Sequence, residues 1–255
     1  MSTEQSTVVH LADVKVACEK CSLHQLCLPM GLESDDVKKL DHIIKRKRPL
    51  QRGEYLFQCD DPFKAIYAIR SGSFKTFTTT SDGEEQITGF HLPGELVGLD
   101  ALTSGKHRAD ARALETCSVC EIPYERLEEL SRHVAGLQRQ LLRIMSREIL
   151  EDQDMMIWLG KKSAEERLAL LLLRISSRFR ERGFSPTEFN LSMSRTDIAN
   201  YLGLAVETVS RLFSRFQESG IMTVERKHVR IHDLPGMEKL AKYTDSTCHS
   251  SDQQA

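Results

Sequence analysis

From Pro49 to about Ile122 the apolar residues fall in short runs and alternating patches: YLFQ, AIYAIR, FKTFTTT, QITGFHL and VCEI. They are cut by Gly53, Gly72, Gly83, Gly89, Gly94 and Gly98. Alternation with a period of two reads as strands, and SDGEE between two of them reads as a hairpin turn. Several short strands closely spaced with glycine turns predict a small antiparallel barrel or sandwich. Ahead of it, SDDVKKLDHIIKR predicts a helix capped by Ser34, with Val37, Leu40, Ile43 and Ile44 on its apolar side. After Pro123 the period changes. HVAGLQRQLLRIMSREILEDQDMMIWL, His133 to Leu159, has no proline, and Gly136 is its only glycine. Leu141, Met145, Ile149, Met156 and Leu159 recur at spacings of three, four or seven and form one apolar stripe, with Asp152 inside it. A helix this long spans about 40 Å, more than a small domain needs, so a dimer seam is expected. Residues 163–183 form a further helix opened by a capping box, Ser163 with Glu166, and GFSPTEF is expected to be a loop.

The stretch RTDIANYLGLAVETVSRLFS, residues 195–214, predicts a helix-turn-helix. Ala199 sits where two helices meet closely, Gly203 where the turn needs a positive φ, and Val209 where the second helix packs on the first. Ile198, Leu202, Leu204 and Leu212 supply the shared core. Downstream, IMTVERKHVRIH alternates like a hairpin and would form a wing. The second helix, opening near Val206, presents Glu207, Ser210 and Arg211 on its N-terminal face, where side chains reach base edges in a major groove. Arg211 suits guanine O6/N7, Glu207 suits cytosine N4, and Ser210 suits either base pair type. Arg226, Lys227 and Arg230 in the wing are candidates for phosphate contacts.

Charge sharpens that division. The chain of 255 residues carries −2 overall, yet residues 161–232 hold 13 Lys and Arg against 8 Asp and Glu, leaving −7 for the rest. A basic module attached to an acidic one fits nucleic-acid binding by the C-terminal part. No apolar run reaches the roughly 18 residues of a membrane span. The start, MSTEQSTVVHLADVK, lacks the pattern of a secretory signal, so a cytoplasmic setting is expected. Residues 1–17 and the tail after about Tyr243 are polar and expected to be mobile.

The seven cysteines, 18, 21, 27, 59, 117, 120 and 248, are then expected to be reduced. Three of them crowd into CEKCSLHQLC, residues 18–27, which in a reducing compartment suggests metal before disulfide. A tetrahedral zinc or an iron–sulfur cluster takes four ligands, and the C-x2-C-x5-C spacing leaves both open. Cys59 is expected to be a buried small hydrophobe, and Cys248 incidental.

An antiparallel roll, then a long helix, then a winged helix-turn-helix is the α+β order of parts in the CRP/FNR (cyclic-AMP receptor protein) superfamily of transcription factors. The stretches GEEQITGFHL, ALETCSVCEIP, DQDM, AEERLA, RGFSP and YLGLAVETVSRL resemble its oxygen-sensing FNR/ANR branch over essentially the whole chain. The resemblance implies a cytoplasmic homodimer, not an enzyme, that binds one [4Fe–4S] cluster per subunit while oxygen is absent. It implies binding to a palindrome resembling TTGAT-N4-ATCAA, and RNA polymerase as a partner in controlling anaerobic metabolism. Carried across position by position, the cluster ligands are Cys18, Cys21, Cys27 and Cys120. A second thiol, Cys117, stands three residues before Cys120, but VCEIP is the matching pentapeptide. The dimer switch lies in Met145, Ile149, Asp152 and Met156. The implied parts are a cysteine segment 1–32, a cyclic-nucleotide-binding-like β-roll 33–132, a dimerisation helix 133–160, a winged helix-turn-helix 161–243 and a tail 244–255. The superfamily's nucleotide pocket places an Arg-Ser or Arg-Thr pair after Gly-Glu-Leu. Here Gly94-Glu95-Leu96 is followed by His107-Arg108, without the hydroxyl, so cyclic AMP is not an expected ligand. Two rivals remain: a zinc-bound or otherwise liganded regulator of the same architecture, and an iron–sulfur electron carrier, against which the helix-turn-helix argues.

Overall fold

The glycine-punctuated strands of the first half pair into two four-stranded antiparallel sheets. In the computed structural model, which describes residues 17–242, the strands are β1 (Lys45–Arg46), β2 (Tyr55–Phe57), β3 (Ala65–Ser71), β4 (Phe74–Thr79), β5 (Glu85–His91), β6 (Leu96–Val97), β7 (Asp110–Ala113) and β8 (Ser118–Pro123). One sheet runs β1-β8-β3-β6 and the other β2-β7-β4-β5. β4 and β5 form the SDGEE hairpin, turned at Gly83 with φ of 81°. Residues 1–16 and the tail from 243, Cys248 among them, lie outside the described residues.

Two apolar clusters divide this unit. The first holds Leu50, Phe57, Ile69, Phe74, Ala111, Cys117 and Val119 between the sheets. The second holds Leu28, Leu40, Ile66, Leu96, Ile122, Leu127, Val134 and Leu137, with Cys27 and Cys120 packed against it. The parity of β8 separates them: residues 117 and 119 belong to the first cluster, and 120 and 122 to the second. This is the two-sided alternation of a strand.

Helix α1 (Ser34–Ile43) ends earlier than its sequence pattern predicts, because Lys45 and Arg46 pair with Glu121 and Cys120 of β8 as strand β1. Its cap position is Glu33, not Ser34. The Ser34 hydroxyl instead donates to the Glu19 carboxylate. Helix α2 (Tyr124–His133) stops at Val134, whose φ of −119° and ψ of 87° are not helical. The long helix α3 then runs Ala135–Lys161.

The chain divides into two compact units between Asp152 and Gln153, within α3. In the second unit, α4 (Ala164–Glu181) opens on the expected capping box: the Ser163 hydroxyl accepts from the Glu166 N–H, and the Glu166 carboxylate accepts from the Ser163 N–H at 2.6 Å. The GFSPTEF segment is not all loop. Its last residues enter β9 (Glu188–Asn190), which pairs with β11 (His228–Ile231), and β11 pairs with β10 (Met222–Glu225). Between β9 and β10 lie α5 (Arg195–Leu202) and α6 (Val206–Glu218), and α7 (Leu234–Ala241) closes the described chain.

Candidate metal centre and nucleic-acid interface

The cysteine segment reaches the β-roll through close packing rather than regular structure. A short 3-10 turn, Cys18–Lys20, leads into hydrogen-bonded turns through Met30. Gly94, in the β5–β6 turn, has φ of 94°, and a Cβ there would stand 2.9 Å from Leu26 Cβ. Only a residue without a side chain lets the segment lie this close.

Cys27 and Cys120 pack against the same apolar cluster, and the Cys18 N–H donates to Asp41, which pairs with Arg46, the register partner of Cys120. The charge of a Cys120 or Cys27 thiolate is felt by Cys18, that of Cys120 or Cys21 by Cys27, and that of Cys21 by Cys120. Burial is the main reason the Cys27 thiol is pushed up to about 12, partly opposed by the Leu28 N–H donated to its sulfur. Cys18 is pushed up as well, by burial first and then by its thiol's hydrogen bond to Asp41. Burial also raises Cys120, against the pull of the Arg46 and Arg70 guanidinium groups. Among the described residues no three His, Cys, Asp or Glu side chains already stand as a metal-holding group. The donor set nonetheless fits one. Soft sulfur donors lie on the segment and on the facing strand, two arginines offset negative charge, and the Leu28 N–H favours a charged Cys27 sulfur.

The remaining described thiols differ. Cys117 is fully buried between the sheets, where its thiol donates to the Ser73 and Glu115 carbonyls at 3.2 Å each. Cys59 is exposed, contrary to the expectation of burial, because it lies in the turn after β2 beside Asp60, whose φ is 66°. At the position of the superfamily's phosphate-binding pair, His107 is buried, stacks on Phe57 with ring centroids 3.7 Å apart and lies 3.3 Å from Asp100, while Arg108 is exposed.

The stripe on α3 is open to solvent. Met145, Ile149, Met156 and Leu159 are exposed, Ile149 and Met156 by 56% and 65%, and Asp152 is exposed on the same side, whereas Leu141 is half-buried against the second apolar cluster. Four large apolar side chains along one helix face form the kind of exposed patch that association sites use. Glu148, half-buried beside them, is pushed up to about 7 by burial and then by the carboxylates of Glu151, Asp152, Glu95 and Asp100. A raised carboxyl means that the folded chain holds this proton more tightly than the unfolded one. Ionised Glu148 therefore costs stability above about pH 7, a cost relieved as pH falls toward its unfolded value near 4.5. Glu148→Gln is expected to raise the thermal midpoint at about pH 8 and leave it nearly unchanged at about pH 5. Equal shifts at both pH values would contradict that account.

In the second unit, Ser194 caps α5 in a box with Asp197, and Gly203 takes φ of 61° at the turn. Ile198, Ala199, Leu202, Val209 and Leu212 are buried, so α5 and α6 share the predicted core, with Leu204 half-buried. Glu207, Ser210 and Arg211 are all exposed on α6, and the Ser210 hydroxyl donates to the Val206 carbonyl at 2.9 Å, leaving its acceptor side outward. Arg226 and Lys227 form the exposed tip of the β10–β11 hairpin, with Arg226 at φ of 57°. Arg230, the third wing candidate, is held at 2.9 Å by Glu188 of β9, an acid 42 residues away that no local pattern places beside it.

Comparison with known proteins follows the same division. Residues 47–133 match the model of the cyclic nucleotide-binding domain, and residues 166–240 that of the Crp-like helix-turn-helix domain. The chain is 57% identical over 216 residues to the transcriptional activator protein anr of Pseudomonas aeruginosa, covering 85% of this chain and 88% of that one. It is 52% identical over 229 residues to the fumarate and nitrate reduction regulatory protein of Escherichia coli, covering 90% and 92%. The solved structure of FixK2 from Bradyrhizobium japonicum aligns with a TM-score of 0.72 at 30% identity, covering 79% of this chain and 99% of that one.

Proposed function

The chain belongs to the CRP/FNR family of DNA-binding transcription regulators, proteins that are not enzymes, and from that premise we propose that it is an oxygen-responsive activator. Its DNA-binding form is a cytoplasmic homodimer holding one [4Fe–4S] cluster per subunit through Cys18, Cys21, Cys27 and Cys120. The observation that supports this reading is that Cys27 and Cys120 pack against one apolar cluster beside the Cys18–Cys27 segment, with Cys117 turned into the other core. Cys18, Cys21 and Cys27 of the N-terminal segment and Cys120 of β8 would hold the cluster, which would supply an oxygen-labile centre there.

The chain's own residues carry the rest. Arg46 and Arg70 offset the charge of the ligand thiolates, and the Leu28 N–H supports the Cys27 sulfur. The segment and the N-terminal turns of α3 share one apolar cluster through Leu28, Leu32, Leu137 and Leu141, so order in one bears on the other. Further along α3, Met145, Ile149 and Met156 draw two subunits together, while Asp152 faces or neighbours its own copy and opposes them. Two such charges about 4 Å apart, at an effective dielectric near 20, repel by at most about 4 kcal/mol. The dimer is thereby kept weak enough for the state of the thiol corner to decide it.

Paired α6 helices then enter successive major grooves of a palindrome resembling TTGAT-N4-ATCAA. Glu207, Ser210 and Arg211 read base edges, and Arg226 and Lys227 hold phosphates. Bound there, the dimer engages RNA polymerase at genes of anaerobic metabolism. Cyclic AMP is not the effector: His107, packed on Phe57 and close to Asp100, occupies the position of the phosphate-binding pair without offering its hydroxyl.

The reading is tested by following sedimentation and palindrome binding of the anaerobic protein before and after exposure to air. Dimer and DNA binding should be lost together; unchanged binding after exposure would overturn it. Asp152→Ala is expected to tighten dimerisation of the air-exposed protein by about tenfold, some 1.4 kcal/mol and well within the repulsion above. A variant as monomeric as its parent would remove seam repulsion from the mechanism.

A further inference from the structure

One buried polar side chain on α3 is not explained by packing. Gln140 is 2% exposed, in a region where Leu137, Leu141 and Ile144 belong to or pack against the apolar cluster that holds Leu28 and Cys27. Its amide nitrogen donates to the Cys27 carbonyl at 3.4 Å, across 113 residues of sequence, while its amide oxygen is buried without a partner. Reversing the amide would set two oxygens face to face, so the contact itself fixes the donor toward Cys27. Leaving a buried acceptor unpaired is costly, and an apolar side chain of the same length would fill the site without that cost.

What Gln140 touches supplies the reason. The Cys27–Leu28 peptide has a role at both ends: its carbonyl accepts from Gln140, and its N–H adjoins the Cys27 sulfur, whose rise it opposes. A close approach brings the two elements together here. Gly136, one turn earlier on α3, would carry a Cβ only 2.8 Å from Leu32 Cδ2.

We propose that Gln140 is the positioning residue that couples the ligand sulfur of Cys27 to the dimerisation helix through this single peptide. The inference rests on the cluster reading above. A metal-bound sulfur carries more negative charge than a free thiol and takes a stronger N–H bond. Hydrogen bonds at the two ends of one peptide polarise each other, so a firmer N–H bond to sulfur makes the carbonyl a better acceptor for Gln140. Coupling is reciprocal: the helix held by Gln140 also favours the bound state of Cys27.

The experiment measures dimer dissociation constants by sedimentation for the full-length parent and Gln140→Met, each cluster-loaded under anaerobic conditions and as apoprotein, with iron and sulfide assayed on the same samples. Methionine keeps the length and removes the donor. The expected result is a variant that holds iron and whose apo dissociation constant is unchanged, but whose gain in dimerisation on loading is smaller by about fivefold, the worth of one net hydrogen bond. If Gln140→Met does not fold, Gln140→Leu removes the donor with a shorter apolar side chain, and the same ratio is read. Equal weakening of apo and loaded dimers would assign Gln140 a merely structural role and overturn the coupling. So would an unaltered ratio in a variant beside a loaded parent. A parent without iron would overturn the cluster reading and this inference together.

Discussion

Cys120→Ser is expected to abolish iron binding and anaerobic DNA binding, whereas Cys117→Ser is expected to leave both intact. The two thiols lie three residues apart on the same stretch of chain, and strand parity puts them on opposite faces. Cys117 shares the inter-sheet core with Val119, while Cys120 shares the second cluster with Ile122 and Cys27. Cys120 is also fixed in register, opposite Arg46 of β1 and Ala68 of β3. Cys117 is held to the Ser73 and Glu115 carbonyls, and a serine hydroxyl replaces that thiol at a cost of about 1 kcal/mol of stability. Cys18→Ser and Cys21→Ser should match Cys120→Ser, as should Cys27→Ser. Cys59→Ser should match the parent, since Cys59 is exposed in the turn after β2. The measurement is iron and sulfide per chain after anaerobic purification, with palindrome binding alongside. A Cys120→Ser protein with a full cluster would pass the ligand role to Cys117. That would require β8 to slip by an odd number of residues, turning its whole apolar set to the wrong face.

The second large effect lies on DNA. Arg211→Ala is expected to weaken binding by about 1–3 kcal/mol and to relax preference at one base pair, because an exposed arginine on α6 is suited to a guanine edge. Arg226→Ala or Lys227→Ala should weaken all sequences alike and flatten the salt dependence by about one unit of slope, as loss of a phosphate contact does. Because a symmetric dimer presents its two reading helices about one helical turn apart, inserting about five base pairs between the half-sites should abolish specific binding. Anaerobic titrations with the palindrome, its single-base variants and the stretched site, at several salt concentrations, separate these outcomes. Full discrimination by Arg211→Ala with its loss in Arg226→Ala would make the wing the reader.

What the sequence disclosed depends on how local its signals are. The helix-turn-helix was legible because Ala199, Gly203 and Val209 each answer a short-range need at fixed spacing. The SDGEE hairpin was legible for the same reason. Strand β7 was not: DARA alternates charge with alanine, and its strand character comes from pairing with β2 and β4. β9 is three residues long and exists only because β11 lies beside it. The early end of α1 was hidden because Ile43 and Ile44 continue its apolar period, while the pairing of Lys45 and Arg46 with β8 overrides it. The break at Val134 carries no glycine or proline, and the exposure of Cys59 follows from the shape of a turn. At the thiol corner, residue types and family resemblance named a ligand set, but only three dimensions show Cys27 and Cys120 packed against one core. Gln140 was invisible for the opposite reason. A glutamine on a long helix reads as a solvated position, and nothing local reveals that it reaches Cys27.

The central claim is that these four thiols hold an iron–sulfur cluster whose presence governs DNA binding. It is tested most directly by assaying iron, acid-labile sulfide and zinc, with the visible spectrum, on protein purified without oxygen, and by repeating the assay after exposure to air while palindrome binding is followed. The account predicts about four irons and four sulfides per chain, and loss of the spectrum and of DNA binding together in air. Zinc in place of iron, or DNA binding that survives the loss of iron, would contradict it.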